Sequence, residues 1–210
     1  RVLQLKPDHA NAFYNLGNTL TAKGQFPEAM QCYQKAVEIN PGHTDAHWSM
    51  GLIHLRLGNF AEGWKAYEKR WELEDAMVKP QFKQPEWDGQ GISGRTILLY
   101  AERGFGDTIQ FIRYIPFVAE RGAKVIVECQ QELVSLLTNT SGVTQIVARG
   151  ASHPHFDIHY PLLSLPLIFG TTVSTIPSEI PYIHADPALV QKWRSKIEAD
   201  KSPVKVGLVW

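Results

Sequence analysis

The sequence predicts two kinds of structure in one chain: paired helices in the first third, then an α/β domain with a doubly wound parallel sheet. Segments 10–41 and 44–75 align at a shift of 34 residues, as Pro7 and Pro41 illustrate. A repeat of this length is typical of stacked helical hairpins. After residue 95, short apolar runs alternate with helical stretches. That alternation predicts parallel strands covered by helices on both faces.

The composition is that of an ordinary globular protein. Of its 210 residues, 44% are apolar and 20% are charged, and 21 Lys and Arg balance 21 Asp and Glu. This balance argues against a nucleic-acid partner and against a polybasic membrane-binding surface. Cys32 and Cys129 lie far apart, which predicts free thiols in a reducing compartment. Because the chain has no membrane-spanning apolar run and no visible signal peptide, we expect a cytoplasmic protein.

Glycines at equivalent positions explain how the repeats fold. Gly17 and Gly51 let antiparallel helices approach, and Gly24 and Gly58 supply the turns between them. The period and these positions resemble the tetratricopeptide repeat. We expect about two repeats within residues 1–76, preceded by the remnant of an earlier one at residues 1–5. Further matches one period apart are Leu16 with Met50, Phe26 with Phe60, and Tyr33 with Tyr67.

The second repeat departs from the first on its second helix. Arg70 stands where the first copy has the small residue Ala36, and Asp75 replaces the closing proline. Trp64 and Trp71 lie seven residues apart and share a helix face. Since two repeats bury too little surface alone, we expect this face to dock on the following domain.

A linker is predicted at residues 77–94, where prolines and glycines interrupt any periodicity, and Trp87 is expected to hold it against a domain surface. The α/β domain follows at residues 95–203, and residues 204–210 are expected to begin a strand that leads to a missing second domain. The predicted strands are 96–101, 124–129, 144–148 and 156–160. The predicted helices are 107–120, 131–138 and 187–199. Shorter elements are expected at 161–169 and 182–184.

The strand-to-helix turn around Gly104, Gly106 and Asp107 carries the strongest functional pattern. In a parallel sheet such a turn lies at the carboxyl end of a strand, where ligands bind. In the simplest interpretation, the glycines only make a tight turn and Asp107 caps its helix. In a second, the glycines begin a dinucleotide fingerprint with Glu128 as the ribose-binding acid, although Ile109 stands at the third glycine position.

In a third interpretation the turn belongs to a sugar-transfer site. Asp107 is then the base that takes a proton from an acceptor hydroxyl. Gln110 and Arg113 lie three residues apart and share a helix face. Arg113 and backbone N–H groups are candidates for holding a phosphate or a charged acceptor group.

A family resemblance favours the third interpretation. The motif 98–116 resembles bacterial tetratricopeptide-repeat glycosyltransferases, as do Gly63-Trp64, Arg70-Trp71, and segments 85–89 and 161–166. Those proteins carry a catalytic region similar to the lipopolysaccharide heptosyltransferases, with two facing Rossmann-like domains in a GT-B arrangement. Their layout is loosely like that of the O-linked N-acetylglucosamine transferases.

The resemblance implies that this chain holds the repeats and the Rossmann-like acceptor-side half. Asp107 would be the catalytic base, and the nucleotide-sugar donor would bind a second domain outside these residues, so we expect no other cofactor and no metal. By their place in or beside the motif, the candidate substrate-binding residues are Glu102, Gly104, Phe105, Gly106, Thr108, Gln110 and Arg113.

Histidines and an aspartate alternate at His153, His155, Asp157 and His159 and would share one face of a strand. Side chains of these types are those of a nitrogen- and oxygen-liganded metal site. Because Pro154 interrupts a regular strand, the pattern favours a loop that runs into a strand. Acceptor contacts by Asp157 or His159 are a further alternative.

Two functions stay open from the sequence. In the first, the chain is part of a glycosyltransferase that moves a sugar from a nucleotide-sugar donor to a protein or envelope-glycan acceptor bound through the repeats. The excerpt alone would then be inactive. In the second, the chain is a non-catalytic protein-interaction module whose α/β domain only caps the repeats.

Overall fold

The computed structural model describes residues 6–74, 77–202 and 204–206. The expected repeat remnant at residues 1–5 and Asp75 lie outside the described residues, as does most of the expected final strand. Residues 204–206 have no strand or helix assignment.

The repeats fold as two helical hairpins, which confirms the prediction for this part of the chain. Helices α1 (Ala10–Ala22) and α2 (Phe26–Ile39) form the first, and α3 (Thr44–Arg56) and α4 (Phe60–Tyr67) form the second, which continues into a 3-10 turn at Glu68–Trp71. Each hairpin turns at a glycine with positive φ, 75° at Gly24 and 82° at Gly58.

Two helix-interior glycines allow the helices of each hairpin to pack closely. A Cβ placed on Gly17 would lie 2.5 Å from the ring of Tyr33. One placed on Gly51 would lie 2.7 Å from the Cβ and 3.2 Å from the carbonyl carbon of Ala66. The predicted role of these glycines is therefore confirmed.

The α/β domain is built on a four-stranded parallel sheet, as predicted. Its strands are β1 (Thr96–Tyr100), β2 (Lys124–Cys129), β3 (Val143–Ala148) and β4 (Ile158–Pro161), in the order β3-β2-β1-β4. Its helices are α5 (Phe105–Phe111), α6 (Ile115–Glu120), α7 (Val134–Leu137), α8 (Leu165–Ile168) and α9 (Pro187–Ala199), with 3-10 turns at Ile112–Tyr114, Gln131–Leu133, Leu162–Ser164 and Val173–Thr175.

The helix expected at residues 107–120 is divided in two and begins two residues earlier. Pro116 lies in the first turn of α6 and lacks the N–H that would bond to the carbonyl of Ile112, so the helix narrows to a 3-10 turn there. The chain leaves α6 at Gly122, which has a φ of 85°.

The two faces of the sheet are covered differently. Ile97 and Val125 point to the face on which the helices pack, and Leu98 and Ile126 point to the opposite face. With right-handed crossovers, the steps from β1 to β2 to β3 keep their helices on one face, and the return from β3 to β4 crosses the other. That return is coil, so among the described residues the second face carries coil and the linker residue Phe82 instead of the expected helix.

The linker joins the edge of the sheet beside β4. Trp87 donates its backbone N–H to the carbonyl of His159 at 2.9 Å, and His159 donates its own to Pro85 at 3.2 Å. The Trp87 side chain is buried in the main core, and its Nε1 donates to the carbonyl of Gln90 at 2.8 Å. The expected anchoring of the linker by Trp87 is confirmed.

Replacing Gly51 with alanine tests the close approach of α3 and α4. Because the added methyl group meets backbone and Cβ atoms of Ala66, Gly51→Ala should lower the free energy of unfolding by about 1–3 kcal/mol. Chemical denaturation measures this, with Gly91→Ala as the control, since no atom lies within 4 Å of a Cβ at Gly91. Equal stability of the two variants would contradict the proposed packing.

His159 makes stability depend on pH. Burial lowers the pKa of His159 below its ordinary value of 6.5, with Glu86 opposing the shift and Lys79 adding to it. Between that value and the lowered native pKa, the unfolded chain binds more protons than the folded one. The contribution of His159 to stability is therefore full above pH 6.5 and is lost as the pH falls through the native pKa.

This pH dependence is measurable by denaturation across that window. His159→Phe should flatten the fall in the free energy of unfolding at acid pH, and His155→Phe, at an exposed position nearby, should retain it. An unchanged slope in His159→Phe would show that another group is responsible.

Candidate functional site

The glycine turn, defined as residues 102–107, lies at the carboxyl end of β1, between β2 and β4 in the sheet. Gly104 precedes α5, and Asp107 is the third residue of that helix. One carboxylate oxygen of Asp107, Oδ2, accepts the backbone N–H of Gly104 at 3.2 Å. Gly104 is therefore the N-cap, and Asp107 at the third helical position accepts the N-cap N–H as in a capping box. Asp107 thus helps to cap its helix, as the simplest interpretation expects, but from N3 and not from the N-cap position.

The Asp107 carboxylate keeps a second oxygen for other contacts. The residue is half-buried, and within the described residues Oδ1 makes no hydrogen bond. Gly104, Gly106 and Phe105 beside it are exposed, and residue Phe105 is 47% accessible. A partly exposed carboxylate therefore lies among accessible backbone and one aromatic ring at the edge of the sheet.

Gln110 and Arg113 do not act together in the structure. Gln110 is exposed on α5. Arg113 donates from Nη1 to the carbonyl of Pro177 at 2.7 Å, and its guanidinium lies 4.2 Å from the ring centroid of Tyr182. Arg113 therefore holds the segment that follows α8 against the 3-10 turn between α5 and α6.

Glu102, the first residue of the glycine turn, is 3% exposed and faces the repeats. Its Oε1 accepts a hydrogen bond from Nη2 of Arg70 at 2.8 Å. Burial raises the pKa of Glu102, and the Arg70 guanidinium partly offsets that rise. Its partner is thus a residue of the second repeat.

Arg70 joins the repeats to the α/β domain through a buried polar network. The residue is 2% exposed, and its Nη1 donates to Glu68 Oε1 at 2.7 Å. Its Nη2 also donates to Ser164 Oγ at 2.6 Å, and Ser164 in turn donates to Glu68 at 2.8 Å. The sequence hint for this network was a large cation at a position where the repeat pattern has a small residue.

Aromatic contacts extend the same interface. The Arg70 guanidinium lies 4.8 Å from the ring centroid of Tyr67 and 4.7 Å from that of Trp71. Trp64 packs edge-on against Phe111 of α5, with ring centroids 5.8 Å apart. The predicted docking of the second repeat on the following domain is confirmed.

Gln130 contacts the glycine turn from the side of β2, and no pattern in the sequence predicts this contact. Its Nε2 donates to the carbonyl of Arg103 at 2.7 Å. Its Oε1 accepts the hydroxyl of Thr108 at 3.0 Å. Thr108, a predicted substrate-binding residue, is fully buried in this contact.

Glu128 has a protein partner at the place where a dinucleotide site would use it for ribose. Its Oε2 lies 2.5 Å from Nε2 of His153, and the residue is buried. Ile109 packs against the main core at the position of the third glycine. Neither arrangement favours the dinucleotide interpretation.

The four side chains of the histidine segment do not converge on one site, although His153 and His159 both lie against the ring of Phe82. Asp157 accepts the backbone N–H of Thr96 at 2.7 Å, and His155 is exposed. His159 packs on the ring of Phe82 at a centroid distance of 4.7 Å. Across residues 6–74, 77–202 and 204–206, no group of three or more His, Cys, Asp or Glu is placed to hold a metal ion.

Comparison with known proteins identifies the repeat. The tetratricopeptide repeat model matches residues 10–43, so the chain contains a tetratricopeptide repeat. Protein FlbA of Caulobacter vibrioides (strain ATCC 19089 / CIP 103742 / CB 15) is 26% identical over 158 residues, which are 66% of this chain and 26% of FlbA. The chain thus spans about a quarter of the length of this curated relative.

Two solved structures have similar parts. The crystal structure of MamA has 31% sequence identity and a TM-score of 0.32, with 33% of this chain and 41% of MamA covered. A mutant O-GlcNAc transferase of Thermobaculum terrenum has 16% identity and a TM-score of 0.33, with 70% of this chain and 36% of the transferase covered. Within the described residues, no helix is both long and apolar enough to cross a membrane.

Removing the Arg70 guanidinium tests the buried network. Arg70→Met leaves Glu102 buried without its cation, so the free energy of unfolding should fall by about 3–5 kcal/mol. Lys69→Met, which removes an exposed ion pair with Glu72, should change it by no more than about 1 kcal/mol.

A second substitution separates the charge from the packing. Adding Glu102→Gln to Arg70→Met removes the unpaired carboxylate, so the double variant should recover part of the loss. Strictly additive losses in the denaturation cycle would mean that the two side chains do not interact.

Proposed function

We propose that the chain is the repeat-bearing, acceptor-side part of a glycosyltransferase. It would support transfer of a sugar from a nucleotide-sugar donor to a protein or envelope-glycan acceptor bound through the repeats. The donor would bind a second domain of a longer protein. The proposal includes a GT-B arrangement, a Rossmann-like character for the α/β domain and a cytoplasmic location.

The observation that carries the proposal is the placement of the Asp107 carboxylate. It lies at the carboxyl edge of a parallel sheet, which is where α/β proteins bind ligands. One oxygen is held by the N–H of Gly104, and the other oxygen has no partner among the described residues. A carboxylate that is oriented in this way is suited to take a proton from a hydroxyl that attacks an activated sugar.

The exposed neighbours of Asp107 give the proposed acceptor a surface. Gly104 and Gly106 let an acceptor approach the backbone closely, and Phe105 and Gln110 add an aromatic face and an amide. Glu102, Thr108 and Arg113 are assigned a different part in this proposal. They hold the surrounding structure, because Arg70, Gln130 and Pro177 already engage them.

The second candidate function is a non-catalytic interaction module. The observation that favours it is a cavity of about 500 Å³ along the repeats, away from Asp107. In that case the α/β domain serves to cover the second repeat through Arg70. The cavity is lined by Tyr14, Asn18, Phe26, Trp48, Leu52 and Arg56, among others.

Asp107→Asn tests the catalytic role in the full-length protein. The amide keeps an oxygen that accepts the Gly104 N–H but loses the basicity, so transfer should fall by at least about 100-fold while the fold is retained. Mass spectrometry of candidate acceptors, after a screen of nucleotide sugars, measures transfer, and circular dichroism monitors the fold.

The matched control is Asp88→Asn, since Asp88 also accepts one local backbone N–H, that of Gln90. It should transfer at the wild-type rate. Full turnover in Asp107→Asn would remove Asp107 from the mechanism, and a wild-type protein inactive with every nucleotide sugar would favour the interaction module.

A further inference from the structure

We propose that Gln130 is a positioning residue for Asp107. It holds the glycine turn from the end of β2 by binding to Arg103, before the two glycines, and to Thr108, after Asp107. The inference rests on the proposed function only in making Asp107 the base, because the restraint itself is a property of the fold.

The two contacts of Gln130 lie on either side of the segment 104–107. Its Nε2 donates to the carbonyl of Arg103 before the two glycines, and its Oε1 accepts from Thr108 directly after Asp107. One side-chain amide therefore spans the backbone that carries the glycines and the carboxylate. The distances, 2.7 Å and 3.0 Å, are those of well-formed hydrogen bonds.

Chemistry allows only one orientation of this amide. The Arg103 carbonyl only accepts, so the NH₂ group must face it, and the amide oxygen then faces the Thr108 hydroxyl. That hydroxyl has a single proton and also lies 3.2 Å from the carbonyl of Gly104. Because the amide oxygen can only accept, the hydroxyl must turn its proton toward Gln130 to form that bond, with the Gly104 carbonyl as a second acceptor nearby.

Burial makes the restraint costly to lose. Gln130 is 8% exposed and Thr108 is fully buried, so neither side chain has ready access to water in exchange. Gln130 is itself fixed by the sheet, because it directly follows Cys129 at the end of β2. Two residues earlier, the backbone carbonyl of Glu128 accepts the N–H of Ala101 at 2.9 Å. The glycine turn is thus attached to β2 in two ways, by the side chain of Gln130 and by a backbone hydrogen bond just before the turn.

Hydrogen exchange of the Gly104 and Thr108 amides tests the restraint in the protein without substrate. Gln130→Met removes both bonds and should lower the protection of these amides by roughly tenfold. The matched control is Gln131→Met, because Gln131 is the adjacent glutamine and is exposed. It should leave protection unchanged, and equal protection in the two variants would overturn the proposal.

Gln130→Glu supplies a readout that a merely space-filling role would not give. When ionised, the carboxylate sets a negative charge against the Arg103 carbonyl, and when protonated it can again donate to it. Protection of the turn, corrected for intrinsic exchange, should therefore be lower at neutral pH and recover under acid conditions. A protection that does not depend on pH in this variant would contradict the positioning role.

The activity arm separates this inference from the proposed function. In the full-length enzyme, Gln130→Met should lower kcat about 10-fold or more with little change in the KM for the donor, because misplacing a reacting group costs rate more than binding. If Gln130→Met fails to fold, Thr108→Val serves in its place, since it removes the hydroxyl that contacts Gln130 and Gly104 and keeps the bond from Gln130 to Arg103. A wild-type protein without transfer would defeat the proposed function, and the exchange experiments would still decide the role of Gln130.

Discussion

The buried guanidinium of Arg70 is the constraint on which the joint between the two halves of the molecule depends. An arginine removed from water without a balancing charge and bonded N–H groups costs the fold several kcal/mol. Both terminal nitrogens of Arg70 are bonded, whereas its Nε has no partner among the described residues. Here Glu68 lies on the same 3-10 turn, Glu102 follows β1, and Ser164 follows β4. The repeat and the carboxyl edge of the sheet must therefore meet in one relative position for the charge to be satisfied.

Such a network contributes geometry more than net stability. The carboxylates raise the pKa of Arg70 against the opposing effect of burial, whereas the pKa of Glu102 is also raised because Arg70 offsets its desolvation only in part. An apolar interface of similar volume would avoid this cost. The ion pair instead determines how the two parts of the molecule are placed, because it binds Glu102, the first residue of the glycine turn, to Arg70 of the second repeat.

The glycine turn is consequently held on each side by a different element. Arg70 binds Glu102 at its start, and Gln130 binds the carbonyl of Arg103 and the hydroxyl of Thr108 around its middle. Arg149 also donates to the carbonyl of Ala101 just before it. A turn with exposed glycines at its centre is thus restrained at both ends, which keeps Asp107 in place while leaving its surroundings open.

Local patterns allowed the repeats and strands to be predicted, because their causes lie within a few residues of the chain. The helix expected at 187–199 has those bounds in the structure, since Asp186 accepts N–H groups of its first turn and Pro187 begins it. The hydrogen-bond partners of Glu102 and Thr108 could not be predicted in this way, because they lie far away in the sequence. Glu102 binds a residue 32 positions away and Thr108 one 22 positions away, and no periodicity relates them.

The difference between local and long-range causes also explains why the prediction of helices on both faces of the sheet was wrong. Alternation of strands and helices predicts a parallel sheet, but strand order decides on which face each connection lies. Only the return from β3 to β4 crosses the second face, and the proline in residues 149–157 favours coil there. Phe82 of the linker and Phe156 of the return then cover Leu98 and Ile126 with aromatic rings where a helix was expected.

The contrast between Glu102 and Asp107 bears on the choice between an enzyme and an interaction module. A domain that only covers the repeats needs Glu102, which binds Arg70 and is sealed from water. Asp107, five residues later, is half-buried, closes the first turn of α5 through Oδ2 and lies beside two exposed glycines, so its contacts do not join the two halves. Under the proposed function, the restrained backbone and accessible edge of this turn would hold Asp107 ready to contact a ligand, whereas an interaction module would depend only on the contacts of Glu102 with Arg70.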